Sequence, residues 1–403
     1  MIDGRGRAPM GEDTFYLDEQ DRYSRLRLIS WWEQERLARA RVMVVGAGAL
    51  GNEVLKNLAL LGVGRVFVLD LDEIENSNLS RSVLFRESDE GRPKAEVAAR
   101  AVLGMNPGLR VEGRRANVIT DIGLGLFAEM DLVIGCLDNR EARLWVNRCC
   151  WKVGVPWIDG AIQEIAGVVK VFVPPDSSCY ECAMTEADYR LINMRYSCPL
   201  LKREDLLQGK VPTAPTIASI VAGLQTQEAL KLLHGFREFA GKALVLSGMV
   251  NNFYTTAFPR REGCLSHETY PEAEPLPLTA GQSTAAELFG LARRAFAGDS
   301  GGGLRLALDR DLLLGLNCPD CGVDRRVMRP LALVSHREGT CEACGQVMRT
   351  ELASEIAEGS PESLHTLGVL GVPAYDIVRV TRGNESRFFR LQEDRARALG
   401  AAA

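Results

Sequence analysis

Four polar side chains follow apolar segments at positions where they could stabilise a polyphosphate. Asn78 and Arg81 lie just beyond one apolar run, and Lys94 lies in the first turn of a predicted helix. Asp138 directly follows a later apolar run. Cationic and amide donors stabilise charge on a triphosphate, and a carboxylate can hold the metal ion that shares this charge. Any one of these charges alone could be a solvated loop residue. Together they indicate a site for a triphosphate and a metal ion.

A glycine-rich loop precedes these residues. Gly46, Gly48 and Gly51 follow four apolar residues at the spacing G-x-G-x-x-G, and an apolar pattern of helical period follows them. The pattern predicts a strand, a tight turn and a helix, with the second glycine allowing a ligand to approach the backbone. Asp70, about 20 residues further on, is placed to accept a hydrogen bond from a ribose hydroxyl. The loop and Asp70 alone fit nicotinamide, flavin and adenylate binders equally.

The elements that must position these residues alternate along the chain. Helices are predicted at about 93–105, 121–129 and 140–152, and strands at about 109–112, 131–137 and 155–159. A further helix is predicted to contain Trp31 and Trp32. Such alternation predicts an α/β fold with a doubly wound, mostly parallel sheet and a ligand at the carboxyl ends of its strands. Asp70, Asn78 and Asp138 fall at those ends.

Paired cysteines indicate metal rather than disulfides. The sequence has 11 cysteines, and C-x-x-C pairs in a cytosolic protein are more often metal ligands than bridges. Cys318, Cys321, Cys341 and Cys344 have the spacing of a zinc ribbon over residues 318–344. This spacing predicts a structural Zn²⁺ site.

A second zinc site is predicted from Cys179, Cys182, Cys264 and His267, where the pairing of the distal Cys264 and His267 with the C-x-x-C is what resemblance to a known family implies. Zinc accepts imidazole as readily as thiolate, so three cysteines and one histidine can complete its coordination. Four protein ligands leave no open position for chemistry, so this site would clamp the fold. The alternative is a lost site with leftover thiols.

Length and composition limit the class of protein. The chain has 403 residues, of which 46% are hydrophobic and 25% charged, as in an ordinary soluble globular protein of two domains. The net charge of −5 gives no support for nucleic-acid binding. No apolar run approaches the roughly 18 residues of a membrane span, and the polar N-terminus lacks a signal-peptide core. A cytoplasmic protein is expected.

Changes in composition suggest domain boundaries. Residues 1–21 have few large apolar side chains and are expected to be disordered. The proline-rich stretch 271–278 marks a linker. We therefore expect a Rossmann-like domain at 22–270 and a smaller domain at 271–403 that contains the zinc ribbon.

Taken together, the motifs resemble the adenylation domain of the ThiF/MoeB/HesA family. Within that family they most resemble the catalytic subunits that activate ubiquitin-like proteins, and the resemblance covers about residues 20–267. The motifs are the glycine loop 46–51, Asp70-x-Asp72, Ser77-Asn78-Leu79-x-Arg81, Gly91-Arg-Pro-Lys94, Gly135-Cys-Leu-Asp138, Trp157-Ile-Asp-Gly160 and Cys179-x-x-Cys182.

The resemblance implies an ATP-dependent reaction at the C-terminal carboxylate of a small ubiquitin-like protein that ends in glycine. Asn78, Arg81 and Lys94 would contact the phosphates, with Asp138 on Mg²⁺ and Asp70 and Asp72 on the nucleotide side. Arg25 stands in a setting from which a family arginine reaches the triphosphate, often that of the neighbouring subunit. A homodimer is therefore expected.

Cys198 is the candidate nucleophile. It follows Cys182 by a distance similar to that of the family's thioester-forming cysteine, within a predicted catalytic and crossover segment at 193–214. Pro199 suits the first position of a helix, and nearby Arg195 and Lys202 would favour a thiolate. The thioester would pass to a conjugating enzyme. The alternative is a loop cysteine without chemistry.

Rival functions share parts of this pattern. A sulfur-carrier adenylyltransferase of cofactor biosynthesis would use the same ATP site without a thioester. A cyclising dehydratase of the same family would use another carboxylate, and a non-catalytic scaffold would be expected to have lost part of the site. A nicotinamide dehydrogenase explains only the glycine loop and Asp70.

Overall fold

The computed structural model describes residues 20–189, 212–296, 302–335 and 337–400, which form two β-sheets. The larger sheet has eight strands in the order β3-β2-β1-β4-β5-β6-β7-β8. Its strands are β1 (Arg41–Val45), β2 (Arg65–Asp70), β3 (Arg110–Arg115), β4 (Leu132–Gly135), β5 (Trp157–Gln163), β6 (Ala166–Phe172), β7 (Lys242–Ser247) and β8 (Asn252–Ala257).

Strands β1 to β5 are mutually parallel, whereas β6, β7 and β8 add to the sheet in antiparallel order. The change of direction follows from loop length. A two-residue turn joins β5 to β6, and Glu164 in it has a φ of 52°. A turn this short can only connect antiparallel neighbours, since a parallel connection needs a crossover of a dozen or more residues.

Helices cover both faces of the parallel region. They are α1 (Gln34–Arg39), α2 (Ala49–Leu61), α3 (Lys94–Met105), α4 (Leu124–Ala128), α5 (Arg140–Val153) and α6 (Pro215–Leu233). In β1, Val42 and Val44 point into one core with α2, α3 and α6, whereas Met43 and Val45 point into the other with α4 and α5. A strand buried on both faces must be apolar throughout, as β1 is. The predicted doubly wound α/β fold is confirmed.

The strand order fixes where a ligand can bind. Strand β1 pairs with β2 on one side and with β4 on the other. The connections from β1 and β4 therefore leave toward opposite sides and open a crevice beyond the carboxyl ends of these two strands. The glycine loop follows β1, and Asp138 follows β4, so both lie at this crevice.

The prediction of a helix containing Trp31 and Trp32 is wrong. Both lie between a short 3-10 turn at Leu26–Leu28 and α1. Their rings pack instead around His234, with ring centroids 5.2 Å and 5.6 Å from it. Tertiary aromatic packing has overridden the local helical pattern here.

The second sheet is built from the C-terminal part of the chain and is mostly antiparallel. Strands β11, β10, β13, β14 and β9 follow one another in it, and β12 also pairs with β10. Its elements are β9 (Glu274–Leu276), α7 (Ala285–Ala292), β10 (Arg305–Asn317), β11 (Asp324–Pro330), β12 (Arg349–Ala357), β13 (Ile377–Arg382), β14 (Glu385–Leu391) and α8 (Arg395–Leu399). A tight turn at Gly383 and Asn384 joins β13 to β14 as a hairpin.

A buried polar contact joins the second sheet to the first. Arg310 Nη1 lies 3.5 Å from Asp376 Oδ2, and the two side chains are only 8% and 6% exposed. Asp376 also accepts a hydrogen bond of 2.6 Å from Leu124 N, and Arg310 donates to Ile122 O at 3.2 Å. The guanidinium stacks 4.4 Å from the centroid of the Trp145 ring. The second sheet is thus seated on α4 and α5 by satisfied polar groups as well as by apolar packing.

Among the helices in the described part of the chain, none is long and apolar enough to cross a membrane.

Candidate functional site at the end of the parallel strands

The three glycines of the loop differ in whether backbone conformation or packing requires a glycine at that position. Gly46 has a φ of +100°, and a Cβ there would lie 2.3 Å from the carbonyl oxygen of Cys136. A Cβ on Gly51 would lie 2.0 Å from the carbonyl oxygen of Gly46. Gly48 has an ordinary φ of −74° and nothing within 4 Å of a Cβ. Packing therefore requires glycine at 46 and 51, whereas position 48 keeps open space at the N-terminus of α2.

Asp70 ties the glycine loop to the end of β2. Its Oδ2 accepts a hydrogen bond of 2.6 Å from Ala47 N, and its Oδ1 accepts one of 2.8 Å from Asp72 N. Burial raises the pKa of Asp70, while the Ala47 N–H and the positive charge of Lys94 act in the opposite direction. Each carboxylate oxygen retains a lone pair, so Asp70 can still accept from a ligand hydroxyl.

Lys94 is held close to this carboxylate, near the end of β2. Its Nζ lies 3.1 Å from Asp72 Oδ2, and its side chain is 12% exposed. The backbone keeps it there, because Lys94 N donates to Asp72 O at 3.0 Å and Ile74 N donates to Arg92 O at 2.9 Å. The predicted proximity of Lys94, Asp70 and Asp72 is therefore present in the fold.

Asn78 and Arg81 lie on a 3-10 turn, Asn76–Arg81. Asn78 Oδ1 accepts from Glu75 N at 3.0 Å and so caps this turn. Arg81 Nη1 donates to Ser77 O at 2.8 Å, and its other N–H groups make no hydrogen bond with the described residues. The turn thus presents an amide N–H₂ and most of a guanidinium for other acceptors.

Asn52 is a positioning residue that the sequence did not reveal. It is fully buried, and its Nδ2 donates to Ala47 O at 2.7 Å and to Gly48 O at 3.0 Å. Its Oδ1 accepts from Leu84 N at 2.9 Å. One side chain therefore fastens the glycine loop to the segment that follows Arg81. The available signal was a polar residue on the apolar face of a predicted helix.

Asp138 lies beyond β4 with an exposed carboxylate whose Oδ1 accepts from Asn139 Nδ2 at 3.2 Å. Its oxygens face solvent, and one or two carboxylates with waters and phosphates are a usual environment for Mg²⁺. The donor chemistry therefore fits that ion. Arg143, one turn into α5, forms a buried ion pair with Asp159 at 2.8 Å and is a second residue that sequence reasoning missed.

Two predicted residues are not brought to this group. Arg25 has an exposed side chain that makes no hydrogen bond or ion pair with the described residues. Cys198 lies outside the described residues. Cys136, which does lie beneath the glycine loop, is no substitute nucleophile, because burial raises the pKa of its thiol.

The first predicted zinc cluster comes together between α5 and the turn Leu265–His267. The Sγ atom of Cys179 lies 3.7 Å from that of Cys182 and 3.6 Å from that of Cys264. Cys182 Sγ lies 3.4 Å from His267 Nε2, and all four ligand atoms lie within 4.8 Å of one another. Sulfur atoms on one tetrahedral zinc lie about 3.8 Å apart, given Zn–S bonds of about 2.3 Å. The donor set fits such an ion.

The second predicted cluster has the same geometry in the C-terminal sheet. Cys318 Sγ lies 3.4 Å from Cys344 Sγ, and Cys321 Sγ lies 3.5 Å from Cys341 Sγ. All four sulfur atoms lie within 4.8 Å of one another. These thiols come from two tight turns at the same end of the second sheet, one joining β10 to β11 and one preceding β12, because Asn317 pairs with both Asp324 and Arg349. This is the arrangement that the paired spacing predicts.

Comparison with known proteins agrees with this geometry. A sulfur carrier protein adenylyltransferase of Thermus thermophilus is 34% identical over 262 residues, which are 61% of this chain and 90% of that protein. A SAMP-activating enzyme E1 of Haloferax volcanii is 33% identical over 259 residues, 62% of this chain and 89% of that protein. The crystal structure of E. coli MccB with ATP aligns with a TM-score of 0.52 at 26% identity, covering 64% of this chain and 76% of that protein.

The model of the ThiF family matches residues 21–266, which include the whole eight-stranded sheet and every residue of the crevice described above. On this match, the chain belongs to the ThiF family.

Proposed function

We propose that this protein uses ATP to adenylate the C-terminal carboxylate of a small ubiquitin-like or sulfur-carrier protein. The observation that carries the proposal is the grouping, at the carboxyl ends of parallel strands, of an open glycine loop, the Asp70–Asp72–Lys94 cluster and the exposed Asp138. The names of the two relatives, a sulfur carrier adenylyltransferase and a SAMP-activating enzyme, support this substrate class.

In this reaction a carboxylate oxygen of the carrier attacks the α-phosphorus of ATP, and the bond to the β-phosphate oxygen breaks to release pyrophosphate. Arg81, Lys94 and the amide of Asn78 stabilise the phosphate charge, and Asp70 accepts from the ribose. Asp138 would hold Mg²⁺, which when bound supplies further charge stabilisation. The product is an acyl-adenylate, a much better acyl donor than a carboxylate.

We further propose that Cys198 takes the acyl group as a thioester, releasing AMP, before transfer to a conjugating enzyme. The described residues on both sides of 190–211 support this. Just before that segment, Asp188 Oδ1 accepts a hydrogen bond of 2.7 Å from Arg140 Nε. Arg140 follows Asp138 by two residues in the sequence. After it, Glu164 N, just beyond β5, donates to Pro212 O at 2.6 Å. The residues on both sides of 190–211 thus lie at the end of the sheet that carries the crevice.

The second candidate is a sulfur-carrier adenylyltransferase that stops at the adenylate, or a related ATP-dependent cyclising dehydratase that would activate another carboxylate without a thioester. The Thermus thermophilus relative favours this alternative by its name and its 34% identity. The two candidates share every residue of the ATP site and differ only in whether Cys198 reacts.

A homodimer would give Arg25 its role. The Arg25 side chain is exposed, and the residues that follow include exposed Leu28, Ile29 and Trp31. An exposed apolar group of this kind beside an arginine that lacks an acceptor among the described residues suits contact with a second copy. We propose that each Arg25 reaches the triphosphate of the neighbouring subunit.

The carrier protein would dock on a strip formed by β8 and the β7–β8 turn, which is separated from the crevice at β4 by β5, β6 and β7. Strand β8 is the edge of the sheet, and all its residues are exposed. Ala166, the first residue of β6, pairs with Gln163 at the carboxyl end of β5 and with Ser247 at the carboxyl end of β7. The β7–β8 turn therefore lies at the same end of the sheet as the carboxyl end of β5. Met249 and Val250 in this turn are 78% and 71% exposed. An uncovered apolar edge of this kind marks a protein interaction site.

We also propose that each cysteine cluster binds a structural Zn²⁺. The Cys179 cluster would fasten the turn that contains Cys179 and Cys182 to the segment that contains Cys264 and His267, and the Cys318 cluster would brace the second sheet. In both, four protein donors fill the coordination sphere, so neither ion takes part in adenylation.

Alanine substitutions at two glycines of the loop should separate ligand binding from folding. Gly48→Ala should change the free energy of unfolding by no more than about 0.5 kcal/mol. It should weaken ATP binding roughly tenfold, or about 1.4 kcal/mol, because the new methyl group enters the ligand's space. Gly46→Ala should instead lose about 2 kcal/mol or more of stability through its left-handed backbone. Urea unfolding and ATP titration measure both effects; equal ATP affinity in Gly48→Ala and wild type would contradict the assignment.

The adenylation and thioester steps can be tested with a candidate ubiquitin-like protein ending in glycine, ATP and Mg²⁺. ATP–pyrophosphate exchange should depend on the carrier in both wild type and Cys198→Ala. A non-reducing gel should show an ATP-dependent, dithiothreitol-sensitive adduct in wild type only.

Exchange without an adduct would favour the sulfur-carrier or dehydratase alternative. Absence of exchange with every carrier and peptide tried would count against adenylation itself.

Aspartate at the proposed docking strip should impair carrier binding alone. Val250→Asp should raise KM for the carrier about tenfold or more, since it places a charge in an apolar contact worth at least about 1.4 kcal/mol. The KM for ATP should not change. Leu364→Asp is the matched control, since Leu364 is 73% exposed in the second sheet's region. Equal carrier KM values for the two variants would argue against docking on β8.

Metal analysis should find about two zinc ions per chain, one for each four-ligand cluster. Cys341→Ser should retain one zinc and lower the thermal stability of the C-terminal sheet, while ATP–pyrophosphate exchange persists. Cys179→Ser should lose the other ion. Zinc content measured by atomic emission on protein purified without chelator decides this; a metal-free wild type would refute the proposal.

A further inference from the structure

The Arg143 side chain is buried at the base of the crevice, where its guanidinium needs several hydrogen-bond acceptors. Its side chain is 11% exposed, and Nε lies 2.8 Å from Oδ1 of Asp159, which is 1% exposed. A guanidinium carries five N–H donors, and leaving them unsatisfied in the interior is costly. The hydrogen-bond acceptors of the remaining N–H groups therefore show which segments Arg143 connects.

Those acceptors are backbone carbonyls at the ends of two strands. Arg143 Nη2 donates to Leu137 O and, at 3.3 Å, to Gly160 O. Leu137 immediately precedes Asp138, and Gly160 belongs to β5. One guanidinium thus bridges the segment that carries Asp138 to the neighbouring strand.

The sheet itself does not hold that segment. The β4–β5 ladder ends where Gly135 pairs with Asp159, and the last backbone bond from β1 is Cys136 N to Val45 O at 2.8 Å. Beyond Cys136 the chain leaves the sheet, and in the described structure Arg143 is the side chain that bonds the Leu137 carbonyl. Asp138 is therefore held on one side by this contact and on the other by the N-cap of α5, where Asn139 Oδ1 accepts from Ala142 N at 2.8 Å.

Charge neutralisation of Asp159 does not explain the arginine. Lys170 Nζ lies 3.8 Å from Asp159 Oδ2, so a second cation already faces the carboxylate. That oxygen has no hydrogen-bond partner among the described residues. What arginine adds over lysine is a rigid planar fork that reaches a carboxylate and two carbonyls together.

We propose that Arg143 is a positioning residue that sets Asp138 for binding of the nucleotide and its Mg²⁺. The inference rests on the proposed function, in which Asp138 holds that ion. Arg143 touches neither ligand and acts through the Leu137 carbonyl, while Asp159 compensates its buried charge.

The test is thermal unfolding of the full chain with ATP, titrated with Mg²⁺, so that no acyl substrate or turnover is needed. Arg143→Lys keeps the charge and loses the fork. It should raise the Mg²⁺ concentration for half-maximal stabilisation about tenfold, as expected when a residue that orients a metal ligand is lost. The matched control, Arg148→Lys, lies on the same helix and pairs with Glu181 at 3.3 Å, and it should titrate like wild type.

A double-mutant cycle separates positioning from general stability. In an Asp138→Asn background, Arg143→Lys should cause no further shift in the Mg²⁺ midpoint, because the group through which it acts is gone. A purely structural arginine would lower the melting temperature in both backgrounds and leave the Mg²⁺ midpoint of the single variant unchanged. That result would overturn the inference.

If Arg143→Lys does not fold, the pair Arg143→Met with Asp159→Asn removes both charges without leaving one uncompensated. It should show the same shift in the Mg²⁺ midpoint, and a wild-type midpoint would overturn the inference. A wild type that ATP and Mg²⁺ do not stabilise would overturn the proposed function, and this inference with it. A wild type that responds, together with an Arg143→Lys that responds equally, overturns the inference alone.

Discussion

The buried amide of Asn52 is the contact on which the nucleotide crevice depends. Both of its donors go to the glycine loop, and its oxygen goes to the backbone just beyond Arg81. Without this contact, the glycine loop and the turn that carries Arg81 would be two surface segments that move separately. Because a buried amide must satisfy both its oxygen and its nitrogen, the two segments are fixed relative to each other.

Other side chains around the crevice likewise form hydrogen bonds with backbone groups at the ends of strands. Asp70 receives the Ala47 N–H, and Gln225 from α6 donates to Gly135 O at 2.9 Å on the opposite face from Arg143. Strand ends have lost their ladder partners, so a side chain there both satisfies the backbone and aims the following loop. The exposed residues that would meet ATP are thereby carried on a rigid frame.

The C-terminal sheet is attached to this frame rather than tethered beside it. Beyond the buried pair of Arg310 and Asp376, Tyr375 donates to Glu129 at 2.8 Å, and Glu129 also pairs with Arg395 at 2.8 Å. Lys152 on α5 reaches Asp309 at 2.6 Å. Helix α5 therefore carries Arg143 at its crevice end and contacts the second sheet at its other end. A protein bound to the second sheet would be held at a fixed position relative to the adenylation site.

The sequence by itself determined the elements with strong periodicity and the candidate residues of the site. The glycine spacing, the alternation of strands and helices, and the paired cysteines each follow local rules, so the crevice residues and both four-donor clusters were predictable by number. The grouping of Cys264 and His267 with Cys179 and Cys182 across 85 residues came from the resemblance to the family, and zinc's acceptance of imidazole in place of thiolate made it chemically sound.

Only the tertiary structure decided which buried polar residues hold the site together. Asn52 and Arg143 lie in segments whose patterns predict only a helix, and most of their hydrogen-bond partners are backbone atoms of other segments. A backbone carbonyl leaves no signature in sequence, so such contacts cannot be inferred before the chain is folded. For the same reason Trp31 and Trp32 were misassigned to a helix, because their packing against His234, about 200 residues away, is invisible in a local pattern.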